Sequence, residues 1–146
     1  MLARLLSRLA APAAPAAADP GGGLALAALL VRVARSDAQY TEDEARRIEA
    51  VLHARYGLSP FEAAALRGKA ERLEAEAPDT VRFTRAIKDS VPHEAREAVL
   101  EALWSVALAD GGRSAEENQL LRLAADLLGV SDRDSNLARR RAEGAP

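Results

Sequence analysis

Two stretches of this chain carry the same structural signals in the same order at one fixed offset, and that repetition limits the folds open to it. The offset from Asp37 to Asp110 also pairs Leu30 with Leu103, Val33 with Val106 and Ala34 with Ala107. It pairs Thr41 with Ser114, Glu44 with Glu117 and Ile48 with Leu121. One residue shorter, it pairs Gly57-Leu58-Ser59 with Gly129-Val130-Ser131. In each copy an apolar stripe ends at an Asp. A hydroxyl residue three positions before a Glu, the capping-box signature, then opens a second stripe. A Gly stops that stripe. A helical hairpin with one apolar face must bury it against another element, so the two copies are expected to pack together about a pseudo-two-fold axis. Residues 24–37 and 93–110 make the expected central pair.

The other signals are helical too. Leu26, Leu29, Leu30 and Val33 share a face, and Ala fills much of the rest, as in a central helix that is apolar nearly all round. Ile48, Val51, Leu52 and Arg55 continue the second helix. Ser59-Pro60, with Glu62 three residues after Ser59, opens a third that runs to about residue 77. Pro78-Asp79 breaks it and starts a fourth, with Phe83, Ala86 and Ile87 inward. After Val91-Pro92, a helix from about His93 carries Ala95, Val99, Ala102, Leu103 and Val106 on one stripe. Ser114 caps the next helix, and Ser131 caps a last one that frays into Arg139, Arg140 and Arg141. Hydrophobic residues are 49% of the chain but aromatics only 3%. Much of the apolar share is Ala, the best helix former, and few β-branched or aromatic runs remain for strands. The expected fold class is all-α, with about seven helices in two pseudo-symmetric halves around the central pair.

Three segments follow from these boundaries. Residues 1–10 form a short amphipathic helix with Leu2, Leu5, Leu6 and Leu9 on one face. Residues 11–23 are a Pro/Ala/Gly linker, and residues 24–146 are the helical domain. Arg8 cuts the apolar run that a signal peptide would need. The Leu face packs on the domain or frays, or else docks residues 2–9 weakly on a membrane surface or a partner. The longest apolar stretch, residues 24–31, ends at Arg32, far short of the roughly 20 residues of a membrane span.

Composition excludes several functions. The formal charge is -2, with no basic excess to neutralise a phosphate backbone, so nucleic acid is not expected as a partner. The chain has no Cys, hence no disulfide, thiolate metal site or cysteine nucleophile. His53 and His93 show no zinc spacing and read as surface or helix-end residues. Residues 21–23 form neither GxGxxG nor a P-loop. Trp104 reads as core, and Arg139-Arg140-Arg141 as a solvated tail. With no acid–base pair or nucleophile motif, no enzymatic activity is expected. The repeated Asp-x6-Glu is the one constellation able to carry chemistry. If the central pair brings the turns together, Asp37, Glu44, Asp110 and Glu117 supply oxygen ligands for a hard divalent cation, Ca²⁺ or Mg²⁺. The bland alternative is turn and cap chemistry alone, since a capping box wants Glu at both positions.

The segments VARSDAQYTEDEARRIEAVL and VALADGGRSAEENQLLRLAADLLGVSDRD resemble the two halves of the TerB-like family of tellurite-resistance proteins. The TerB-type N-terminal domain of DnaJ-like co-chaperones is related to that family. The resemblance covers about residues 24–142. It implies an all-α fold of about seven helices with internal symmetry. It also implies a bacterial cytoplasmic or inner-membrane-associated protein, tied to tellurite and general stress resistance, with acidic turns that bind metal and no enzymatic activity. Asp110 and Glu117 match the family pattern, as do Asp37 and Glu44 in the first half. Ala38 departs from it, standing where the family usually has Gly. Thr41 and Ser114 stand where a further Asp is frequent, which implies weaker cation affinity. The other class of function open to the chain is a metal-free scaffold holding a protein partner or a membrane surface.

Overall fold

The computed structural model describes residues 22–36, 38–76, 80–109 and 114–144. Among them the apolar stripes form seven α-helices and no strand. These are α1 (Gly23–Arg35), α2 (Glu42–Tyr56), α3 (Pro60–Glu76), α4 (Val81–Ser90), α5 (Arg96–Ala107), α6 (Ala115–Leu128) and α7 (Asp132–Ala142). The amphipathic segment expected over residues 1–10, and all but the end of the 11–23 linker, lie outside the described residues. No described helix is long and apolar enough to cross a membrane.

α1 is the buried axis of the fold. Of its residues only Leu24, Arg32 and Arg35 escape full burial. Its Ala and Gly positions let neighbouring helices approach closely, while Leu26, Leu29 and Leu30 each bury a side chain worth about 1.5–3 kcal/mol. The packing obeys the repeat. α3 lies along α1 as α7 lies along α5, and α1 contacts α2 as α5 contacts α6. Across the axis α1 packs on α5, α2 reaches α5, and α6 reaches α1. α4 bridges α1 and α6 with Phe83 and Ile87 buried.

The stops follow local chemistry. Gly57 and Gly129 close α2 and α6 in the left-handed region, at φ 65° and 74°, where a Cβ would be strained. Two details differ from the sequence expectation. The segment His93–Ala95 is a 3-10 turn, and α5 begins at Arg96. Arg139, Arg140 and Arg141 are the last turn of α7 and not a frayed tail, although Arg140 and Arg141 are exposed. Their charge complements the helix C-terminus, and Arg141 reaches α5 through Glu101 at 3.1 Å and Glu97 at 3.5 Å. Trp104 is core, as expected, and its indole N–H donates to Ser135 Oγ at 3.2 Å.

Candidate functional site

Both acidic turns begin alike. At the end of α1 the Ser36 N–H donates to the Val33 carbonyl at 3.2 Å; at the end of α5 the Ala109 N–H donates to the Val106 carbonyl at 3.2 Å. These pairs are related by the repeat offset, so the two central helices unwind into their turns in the same geometry. Asp37 and Asp110 lie outside the described residues.

Both turns also end alike. The Glu44 N–H donates to Thr41 Oγ1 at 3.1 Å, and the Thr41 N–H donates to Glu44 Oε1 at 2.8 Å. The Thr41 hydroxyl donates to the same Oε1 at 3.1 Å. In the second half the Glu117 N–H donates to Ser114 Oγ at 3.0 Å, and the Ser114 N–H donates to Glu117 Oε1 at 3.0 Å. Each carboxylate thus satisfies a helix N-terminal donor and meets the positive end of the helix dipole.

What sets these two glutamates apart is burial. Glu44 is 0% exposed and Glu117 is 1% exposed. The third capping box, at the start of α3, has the same bonds: Ser59 N–H to Glu62 Oε1 at 2.8 Å and Glu62 N–H to Ser59 Oγ at 3.1 Å. Yet Glu62 is only half-buried. Capping therefore does not require a buried carboxylate; the two turns that follow the repeated Asp supply one each. The sequence signature of all three boxes is the same, and burial distinguishes them only after the helices pack. Among the described residues, no three His, Asp or Glu side chains are grouped to hold a metal ion.

The first turn is tied to α3 by a polar seam. The Tyr40 hydroxyl donates to Glu71 Oε2 at 2.7 Å, and the Arg35 guanidinium lies 5.5 Å from the Tyr40 ring centroid. Glu74 accepts from Arg32 Nε at 3.1 Å and from Arg35 Nη1 at 2.7 Å. Burial, reinforced by the bond to Glu71, pushes the Tyr40 phenol up from 10.0 to about 12. Sequence reading missed this seam, because its partners lie some 30 to 40 positions apart, on α1 and the turn after it and on α3, whose mutual packing no local pattern announces. His53 and His93 are exposed, as expected for surface or helix-end residues.

Fold and turns together define a pseudo-two-fold helical domain in which two helix–turn–helix units each open their second helix with a buried, capping Glu. The family model for tellurite resistance protein TerB matches residues 23–140, and the chain belongs to that family. Comparison with curated proteins and with solved structures gave no match.

Proposed function

We propose that this chain is a non-enzymatic stress-resistance protein that binds a divalent cation, Ca²⁺ or Mg²⁺, at its acidic turns. Asp37 and Glu44 would hold it in the first half, and Asp110 and Glu117 in the second. The supporting observation is that the Glu of each turn is fully buried while Glu62, in an identical cap, is not. Removing a carboxylate from water costs several kcal/mol unless positive charge or hydrogen bonds replace its hydration. A helix N-terminus offsets part of that cost, and a cation shared with the neighbouring Asp would offset more. The donor set is all oxygen, which suits a hard cation. A bound cation would neutralise the carboxylates and lock the turn between its two helices.

A second reading, a metal-free interaction module, draws on apolar side chains left on the surface. Phe61 is 83% exposed at the start of α3. Leu123 and Leu137 are exposed on α6 and α7.

Thermal unfolding decides between the two. The chelated protein is melted alone and with Ca²⁺, Mg²⁺ or Mn²⁺, beside a Glu44→Gln/Glu117→Gln variant whose amides can still accept the cap bonds. A cation at about 100 times its dissociation constant adds about 2.7 kcal/mol. The expected result is a concentration-dependent rise in Tm that the variant loses. No shift with any of the three metals would leave the turns as caps and favour the interaction module.

A further inference from the structure

The repeat invites a comparison of the two halves away from the acidic turns. In the first half, Arg67 of α3 reaches α2 and pairs with Glu49, Nε to Oε2, at 2.7 Å. It also pairs with Glu71 on its own helix. The offset that pairs Gly57 with Gly129 pairs Arg67 with Arg139 on α7. The offset that pairs Ile48 with Leu121 pairs the next residue, Glu49, with Arg122 on α6. Where the first half has an Arg–Glu pair, the second half has two arginines.

These two arginines line one open cleft of about 400 Å³ where α5, α6 and α7 meet. Arg139 Nε is buried there with no hydrogen-bond partner among the described residues. Its guanidinium carbon lies 5.9 Å from the Trp104 ring centroid, which steadies the group without using its N–H donors. Among the described residues neither Arg122 nor Arg139 makes an ion pair. Asn118 and Asn136 add amide donors to the wall, and Asp132 is its one carboxylate among the described residues. A buried donor without a partner costs stability, and Arg122, on the same wall, is exposed and open to a ligand.

We infer that this cleft binds a small organic oxyanion, whose carboxylate or phosphate group is held between Arg122 and Arg139. Guanidinium forks match both groups in geometry and charge. The cleft falls within the size range of small-molecule sites, about 300–1,000 Å³. Among the described lining residues two guanidiniums outweigh Asp132, so the wall favours an anion. Asp132 is then placed to accept a hydrogen bond from a hydroxyl or ammonium elsewhere on the ligand. The site uses neither Glu44 nor Glu117 as a ligand.

Trp104 is the chain's one tryptophan and lines the cleft, so its fluorescence reports binding directly. The full chain is titrated with acetate and, separately, with inorganic phosphate at constant ionic strength. The variants are Arg122→Gln, Arg122→Glu and, as control, Arg133→Gln, an exposed α7 position outside the cleft. The expected result is a saturable change with one probe or both, and the tighter probe names the preferred group. Binding weakens about tenfold or more in Arg122→Gln, a loss of about 1.4 kcal/mol, and stays unchanged in Arg133→Gln. Arg122→Glu recreates the Arg67–Glu49 arrangement across the axis, so it abolishes binding while raising Tm. No saturable change with either probe, or equal affinity in Arg122→Glu, overturns the assignment.

Discussion

At the scale of the residue, Ala38 shows how one side chain records a conformational demand. It sits at φ 65°, the one non-glycine with positive φ among the described residues, and its N–H closes the turn onto the Arg35 carbonyl at 3.0 Å. The left-handed region costs an L-residue about 1–2 kcal/mol, which glycine avoids. The repeat pairs Ala38 with Gly111, the residue type that meets such a demand without strain. Ala38 is exposed, and nothing is lost by removing its methyl. Ala38→Gly is expected to stabilise the protein by about 0.5–1 kcal/mol, less than the full strain because Gly adds entropy to the unfolded chain. Urea unfolding checks this: the midpoint should rise with the slope unchanged. An unchanged or lower midpoint would mean that the turn carries no strain.

At the scale of the element, the seam between α1 and α3 titrates. The Tyr40 phenol is held neutral by burial and by its bond to Glu71, so its folded value of about 12 lies above the ordinary 10.0. The sign follows from linkage: the native state binds this proton more tightly than the unfolded chain does. Its contribution is therefore complete below pH 10 or so and is lost as pH rises toward about 12. The chain has two tyrosines, so a tyrosinate absorbance titration should show one late step, absent in Tyr40→Phe. Tyr40→Phe should also cost about 1 kcal/mol at neutral pH, with the difference from wild type shrinking in alkali. A late step that survives in Tyr40→Phe would assign it to Tyr56.

At the scale of the whole molecule, the two halves share one core. α1 packs on α5, and Leu30 and Leu103, related by the repeat, are both fully buried. Leu30→Ala and Leu103→Ala should each cost about 2–5 kcal/mol. Trp104 reports only on the second half, while far-UV circular dichroism reports on every helix. Cooperative unfolding requires the two signals to move together, so Leu30→Ala should shift the Trp104 transition as far as the helical one. A Trp104 transition indifferent to Leu30→Ala would show halves that unfold separately.

Local sequence determined the helices, the capping boxes, the glycine stops and the pairing of the halves, because each rests on neighbours a few positions away or on a repeated pattern. The apolar stripes of α1 and α5 were legible as the central pair for the same reason. Packing alone decided three things. Glu44 and Glu117 are buried while Glu62, with the same local signature, is not. Arg139 and Arg141 belong to the last turn of α7 and meet α5, Arg141 through Glu97 and Glu101 and Arg139 over the Trp104 ring. Glu49 meets Arg67 whereas Arg122 shares a cleft with Arg139. In each case the energy of the side chain depends on what distant helices bring within a few ångströms of it, and no local pattern along the chain records that.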